Sequence, residues 1–125
     1  MKMLITGSVQ WKDHSFILDK FEKLILLYPS NEIFTLIHFG ITQGVDFVVE
    51  KKLVNYNNTN VIKYRAKNEL LTSKILRNNR IFKFDRPQLI WVFHNNINLN
   101  EGLRDLITKA HRRKIPVTIF RSENE

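Results

Sequence analysis

Five short apolar runs alternate with four amphipathic segments along the chain, and this alternation limits the possible folds more than any other feature. The runs are residues 2–6, 34–39, 60–64, 88–93 and 116–120. Apolar side chains recur at helical spacing between them, over residues 14–28, 44–55, 70–83 and 99–112. Strands that alternate with helices form a parallel sheet covered on both faces. We therefore predict one α/β domain, residues 1–125, built on a doubly wound, Rossmann-like sheet of five strands.

Charge and composition narrow the class of partner. Lys and Arg outnumber Asp and Glu by 20 to 12, for a net charge of +8. Such an excess favours phosphate-bearing partners, either a small nucleotide or a nucleic acid, although it can also serve only solubility. Cysteine is absent, which excludes disulfides and a thiol nucleophile. With no apolar run of membrane-spanning length and no secretory leader, we expect a cytoplasmic protein without membrane, metal or cofactor.

The loop after the first strand, residues 6–13, is one of three candidate ligand loops. Doubly wound sheets bind ligands beyond the carboxyl ends of their strands, at the switch point, so the loops after strands one, two and four matter most. In this first loop Gly7 permits a sharp turn and Ser8 can donate to a phosphate. Trp11 either stacks on a base or lies in the core. Asp13 is expected to cap the first helix.

The loop HFGITQGVD, residues 38–46, reads either as a phosphate cradle or as a tight turn between strand and helix. Gly40 and Gly44 flank three residues whose N–H groups could face a phosphate at a helix N-terminus: Ile41, Thr42 and Gln43. Asp46 suits the first turn of a helix, and could also bind a ribose hydroxyl or the first loop. His38 is expected in the core.

The loop after the fourth strand, residues 94–102, is dense in polar side chains. His94 could bind phosphate or act as a general acid, while Asn95 and Asn96 could contact base or ribose. Asn98 and Glu101 fit a capping box. Gly102 is costly inside a helix, and a closely approaching ligand would explain it.

Two basic features lie outside these loops. Arg77 and Arg80 share one helix face and either clamp phosphates or form a solvated surface. Residues 111–114, HRRK, complement the dipole at the end of the last helix, opposite the candidate loops, and are assigned no site. Apolar side chains on the third helix could form a homodimer or higher oligomer, or belong to the core: Ile81, Phe82 and Phe84.

Together these motifs resemble the SLOG superfamily of nucleotide-binding proteins, most closely its small stand-alone, YspA-like domains. TGSVQW keeps the Thr, Gly and Trp of an opening TG-x-R-D-W motif, with Val9 and Gln10 in place of Arg and Asp. GITQGVD keeps Gly40, Gly44 and Asp46 of a G-G-A-R-G-A-D motif. Further matches are an Arg-Asn pair and a late glycine: Arg77, Asn78 and Gly102.

The resemblance implies a strand order of 3-2-1-4-5 and a nucleotide site at the switch point. The superfamily includes LOG-type phosphoribohydrolases and the DNA-processing protein DprA. The PGGxGTxxE loop of the LOG enzymes is replaced here by HNNINLNEGLRD, which offers no clear counterpart of the catalytic Glu. We therefore expect no catalytic residue; an enzyme would have to use Asp46 or Glu101.

Three functional hypotheses follow. The first is a module that binds a nucleotide or nucleotide-derived signalling molecule without turnover. The Asn-, Ile- and Lys-rich composition is typical of an AT-rich genome such as that of a phage or virus, in which such a module would sequester an immune signal. The second is a nucleotide N-glycosidase or phosphoribohydrolase. The third is a nucleic-acid-binding protein that uses its basic surface.

Overall fold

The computed structural model describes residues 1–122 as alternating strands and helices. The strands are β1 Lys2–Gly7, β2 Phe34–His38, β3 Thr59–Lys63, β4 Leu89–Phe93 and β5 Val117–Phe120. The α-helices are α1 His14–Ile25, α2 Val45–Lys51, α3 Leu71–Phe84 and α4 Glu101–Arg112. All strand pairs are parallel, in the order β3-β2-β1-β4-β5, which confirms the predicted Rossmann-like α/β fold.

Two apolar layers enclose the sheet because successive side chains of each strand point to opposite faces. Met3 and Ile5 of β1 pack into the layer that α1 and α2 cover. Leu4, between them, packs into the layer that α3 and α4 cover. The alternation continues through β2 and β4, so each strand contributes to both layers.

The chain changes direction across the sheet at β1, which lies between β2 and β4. Gly7 at the end of β1 is in register with Phe93 at the end of β4, and the Ser8 N–H donates to the Phe93 carbonyl at 2.9 Å. Loops from both halves of the chain therefore meet at the carboxyl edge of the sheet, where this fold class places its ligands.

Helix ends differ from prediction at several places, and α1 ends at Ile25 rather than at residue 28. The second helix stops at Lys51, and a separate 3₁₀ turn covers Leu53–Asn55. The last helix is capped by Asn100, whose side chain accepts the Leu103 N–H at 3.0 Å, and the predicted cap Asn98 was wrong. Asn98 lies within a 3₁₀ turn over Ile97–Leu99, so α4 begins later than predicted, at Glu101. Asp13 caps α1 as predicted, accepting the Phe16 N–H at 3.1 Å.

The apolar side chains of α3 that were considered for either an oligomer contact or the core differ in burial. Ile81 is fully buried and Phe82 nearly so, and both pack in the core beneath α3. Phe84 alone of the three lies outside, with 62% of its surface exposed. Over residues 1–122, none of the helices has the length and apolar character required to cross a bilayer.

Candidate functional site

A cavity of about 490 Å³ opens at the carboxyl ends of β2 and β3, beside the first two turns of α3; we call it the crevice. Residues 39–42 form one wall and residues 65–69 another, and Lys74 and Arg77 of α3 close it. Four cations line this space against one carboxylate: Arg65, Lys67, Lys74 and Arg77 against Glu69. The crevice therefore presents a positive surface to any ligand that enters it.

Arg77 is the most constrained of these cations. Only 5% of its surface is exposed, and its guanidinium carbon lies 3.5 Å from the centre of the Phe39 ring. Its Nε and Nη2 atoms donate to Asn78 Oδ1 at 3.2 and 3.1 Å. Burial lowers the pKa of Arg77 to about 10, while the more distant charges of Asp46, Glu69 and Asp105 act in the opposite direction. Arg77 thus remains a cation at neutral pH.

The buried charge of Arg77 has no direct counterion in the described part of the chain. Among residues 1–122, no carboxylate forms an ion pair with its guanidinium. Removing a cation from water without a paired anion is unfavourable. An anionic group bound in the crevice would offset part of that cost.

Asn78 holds Arg77 in place and joins the two helices on this face. Its Nδ2 donates to the Gly102 carbonyl at 2.9 Å and to Asp105 Oδ2 at 3.0 Å. Its Oδ1 accepts from Arg77, so the whole amide is used within the protein. Asn78 is therefore a positioning residue, fully buried beneath the crevice.

Because Gly40 has no side chain, it leaves room for the side chain of Arg65 in the crevice wall. Its φ of 75° lies in the left-handed region that favours glycine. A Cβ atom built there would come within 2.6 Å of Arg65 Cγ. Gly40, for which the sequence left a phosphate cradle and a tight turn both open, thus makes room for an arginine of the neighbouring loop.

Lys74 connects the crevice to a second cavity of about 500 Å³, which lies between the N-terminal ends of α3 and α4. Lys74 lines both, and it also lines a small gap of about 40 Å³ next to Thr6 and Gly7 at the switch point. Its ammonium lies 3.5 Å from Glu69, whose side chain is 98% exposed. Because a carboxylate that exposed is well solvated, this pairing leaves most of the positive charge of Lys74 available.

Several polar groups in the loop of residues 38–46 are hydrogen-bonded within the protein. Asp46 Oδ2 accepts the backbone N–H groups of Phe39 at 2.9 Å and Ile41 at 3.3 Å, and its Oδ1 accepts the Thr6 hydroxyl at 2.8 Å. The Gly40 N–H donates to His38 Nδ1 at 2.9 Å. Of the two interpretations of this loop, the geometry favours the tight turn: the carboxylate of Asp46, 1% exposed, takes the Ile41 N–H, one of the three that a cradle would offer to phosphate.

The tip of that loop remains open. Thr42 and Gln43 are exposed, and Thr42 lines the crevice whereas Gln43 lies outside its walls. His38 is completely buried, as expected for a core residue. Its Nε2 atom has no hydrogen-bond partner within the described chain and lies 3.9 Å from Glu50 Oε2.

Gly7 and Gly44 serve the contact between the first two loops. A Cβ atom at Gly7 would collide with the Phe93 carbonyl oxygen, and one at Gly44 with the Ser8 carbonyl oxygen. Ser8 uses its carbonyl to accept the N–H groups of Trp11 and Val45, both at 3.3 Å. Its hydroxyl oxygen accepts the Gln10 N–H at 3.0 Å. These residues build the turn, and Gly7 also borders the small gap near the crevice.

Trp11 lies in the core, the second of the two roles left open by the sequence. Its exposure is 2%, and its ring packs against Phe16 and Phe93 with centroid distances of 5.8 and 5.5 Å. Its indole N–H donates to the Asp13 carbonyl at 2.9 Å. A base could stack on this ring only if the aromatic cluster around it opened.

The first residues of the loop after β4, 94–96, turn away from the crevice. The His94 N–H donates to the Phe120 carbonyl and the Asn95 side chain accepts the Ser122 N–H at 2.7 Å, both on the β5 side. The Asn96 N–H donates to His94 Nδ1 at 2.9 Å. The lining of the crevice and of the second cavity does not include these three residues.

The start of α4 contributes to the second cavity. Gly102 lies close to Lys74, since a Cβ atom there would be 3.2 Å from Lys74 Cδ. The close approach that the sequence attributed to a ligand is therefore made by a lysine side chain. Glu101 lines the same cavity and lies 3.8 Å from Arg104.

Neither candidate acid is arranged for catalysis in this geometry. Asp46 is buried with both oxygens accepting hydrogen bonds, and Glu101 lies at an exposed helix start beside Arg104. Arg80, which shares a turn with Arg77, points to another surface, where its guanidinium carbon lies 5.5 Å from the Tyr64 ring. Across residues 1–122, the His, Asp and Glu side chains form no group of three positioned to bind a metal ion.

The sequence interpretation missed the loop after β3. Arg65 and Lys67 follow this strand directly, at the same sheet edge as the loops that were considered. The sequence could have indicated these two residues, because ligands bind beyond the carboxyl ends of the strands and β3 also ends at that edge. Comparison of the sequence with protein-family models and with curated proteins finds no match, so the functional argument rests on the fold and the crevice.

Proposed function

We propose that the protein binds a nucleotide or a nucleotide-derived signalling molecule in the crevice, without turnover. The observation that carries the proposal is the buried cation Arg77, with which no carboxylate within residues 1–122 pairs, among three further cations at the carboxyl edge of a doubly wound sheet. Phosphate is the ligand group that several converging Arg and Lys donors recognise best. This proposal includes membership of the SLOG superfamily, on the motifs described above.

The size of the site supports a ligand larger than inorganic phosphate. The crevice of about 490 Å³ is within the range of small-molecule sites, and Lys74 joins it to the second cavity. Phosphate would lie near Arg65, Lys74 and Arg77, and the base or ribose would extend along the exposed loop tip at Thr42 or into the second cavity.

The surroundings of the two candidate acids, Asp46 and Glu101, support binding without turnover. An N-glycosidase requires an acid that faces the scissile bond. The oxygens of Asp46 accept three hydrogen bonds within the protein, and Glu101 is solvated beside Arg104. A protein that holds such a ligand without cleaving it would serve as a sensor or would sequester the ligand, as expected for a phage or viral protein.

Calorimetric titration tests the proposal with mononucleotides, cyclic dinucleotides and ADP-ribose derivatives. At least one of these should bind, and the double variant Arg65→Gln/Lys74→Gln should weaken that binding by about 10-fold or more. The matched control Lys12→Gln/Lys52→Gln removes the same charge from exposed positions away from the crevice and should retain wild-type affinity.

Two results would overturn the proposal. One is no binding and no thermal stabilisation by any of these compounds, because a ligand of the folded state must stabilise it. The other is release of free base from an incubated nucleotide, seen by chromatography and lost in Glu101→Gln, which would establish the glycosidase alternative.

A further inference from the structure

Positive charge is concentrated in one part of the molecule. Residues 71–114, which span α3, β4 and α4, contain ten Lys and Arg against three Asp and Glu. This third of the chain therefore carries a charge of +7, against +8 for the whole protein. The helices concerned, α3 and α4, pack on the same face of the sheet.

The excess is greatest where these two helices end, at the amino edge of the sheet and opposite the crevice. Six exposed cations lie there, which we call the basic end: Arg80, Lys83, Arg86, Arg112, Arg113 and Lys114. Arg113 joins the two groups, because its guanidinium carbon lies 4.7 Å from the centre of the Phe82 ring on α3.

Complementing the helix dipoles does not require so many charges. Each helix C-terminus carries about half a negative charge, so two of them account for about one cation. The nearest acid, Asp85, is already paired with Lys2 at 3.0 Å. Within residues 1–122, none of the six cations forms an ion pair with a carboxylate.

An exposed aromatic ring lies among these cations. Phe84 is 62% exposed, and the ammonium of Lys83 is 5.3 Å from its ring centre. Arg80 lies one helical turn before Phe84, on the same side of α3. Cations that follow a backbone, together with an open aromatic face, are the features by which proteins bind unpaired nucleic-acid strands.

We propose that the basic end binds single-stranded nucleic acid. The cations would neutralise successive phosphates, and a base would stack on Phe84. The surface is separate from the crevice, so this inference does not depend on the ligand proposed there. It gives residues 111–114 a binding role, in addition to their effect on the dipole of α4.

Fluorescence anisotropy tests the proposal with labelled oligothymidylate and oligouridylate of about 20 nucleotides. The triple variant Arg112→Gln/Arg113→Gln/Lys114→Gln should weaken binding at least about 10-fold at low salt. The slope of log K against log salt concentration should fall by about 2, because each phosphate contact on a single strand contributes about 0.7. Phe84→Ala should weaken binding about 5-fold or more and leave that slope unchanged.

The matched control removes three cations elsewhere. Lys12→Gln/Lys51→Gln/Lys52→Gln lowers the net charge equally from exposed positions just before α1 and at the end of α2, and should retain most of the wild-type affinity. Lys83→Gln/Arg86→Gln provides a second test that leaves the contact between Arg113 and Phe82 intact. Thermal unfolding of every variant verifies that it is folded.

Four results would overturn the proposal. These are absence of binding by the wild-type protein at low salt, equal losses in the basic-end and control variants, an unaffected affinity in Phe84→Ala, and binding to phosphatidylserine vesicles but not to oligonucleotides. An oligonucleotide affinity unchanged by Lys74→Gln would further show that the basic end acts apart from the crevice.

Discussion

Thr6 donates its hydroxyl to the carboxylate of Asp46 at 2.8 Å, in a buried hydrogen bond between the end of β1 and the first turn of α2. The other oxygen of Asp46 accepts N–H groups from Phe39 and Ile41. One side chain thereby connects the first strand to the loop that leaves the second. The crevice wall formed by residues 39–42 depends on this connection.

Asp46→Asn should destabilise the fold by about 3 kcal/mol, because an amide N–H₂ would replace one acceptor oxygen and leave buried groups unsatisfied. Thr6→Val removes one hydrogen bond and should cost about 1 kcal/mol. Urea denaturation measures both effects. A stable Asp46→Asn variant that had lost a hydrolytic activity would contradict this structural role and assign Asp46 to catalysis.

Gly40→Ala should destabilise the protein by about 1 to 2 kcal/mol, because alanine is strained at a φ of 75°. It should also weaken nucleotide binding, since the added methyl group displaces Arg65. Gly102→Ala is the control for stability: it lies in a helix, gains helix propensity of up to about 1 kcal/mol, and its methyl group would lie 3.2 Å from Lys74 Cδ and 3.5 Å from Asn100 Oδ1. Denaturation and calorimetry separate the two effects, and equal stability of the two variants would count against the strain at Gly40.

Trp11→Phe distinguishes a core residue from a stacking residue. The smaller ring leaves a cavity against Phe16 and Phe93, and we expect a loss of about 2 kcal/mol in the free energy of unfolding. Affinity for a nucleotide ligand should be unchanged. A variant with wild-type stability but weakened nucleotide binding would restore the stacking role.

Acid should destabilise the protein partly through Asp85. The hydroxyl of Tyr64, followed by the ammonium of Lys2, holds the pKa of Asp85 below its usual value, although burial opposes them. A carboxyl group whose pKa is lowered by folding adds stability that is present above its unfolded pKa, near about 4. That stability is lost as the pH falls through the lower, folded-state pKa.

Asp85→Asn should therefore cost about 2 kcal/mol at neutral pH and less at an acidic pH below about 4, the unfolded value, because the wild-type carboxyl loses its stabilising charge as the pH falls towards its lower, folded-state pKa. Urea denaturation at both pH values measures this difference. Asp19→Asn is the control, because Asp19 is half-exposed in its pair with Lys23 and should have little effect at either pH. An equal cost of Asp85→Asn at both pH values would contradict the assignment.

Much of the fold could be predicted because its signals are local. The apolar runs and helical spacings identified every strand and α-helix, and the connection rules of parallel sheets, with the family resemblance, gave the strand order. Helix ends were less certain because side chains compete to cap them: Asn98 and Asn100 can both do so, and the 3₁₀ turn selects Asn100. The sequence identified the glycines of the turns, but it did not identify the residues that contact them.

By itself, the sequence determined the α/β class, the sheet edge where a ligand would bind and the excess of cations. Only the tertiary structure decided which polar groups line the crevice, because contacts between residues far apart in the chain carry no local signal. Asp46 closes the loop that resembled a phosphate cradle, whereas Arg65, Lys74 and Arg77 are brought together from two segments. Packing against Phe39 and the burial of Asn78 place the charge of Arg77 in the crevice, and spacing along α3 does not encode that position.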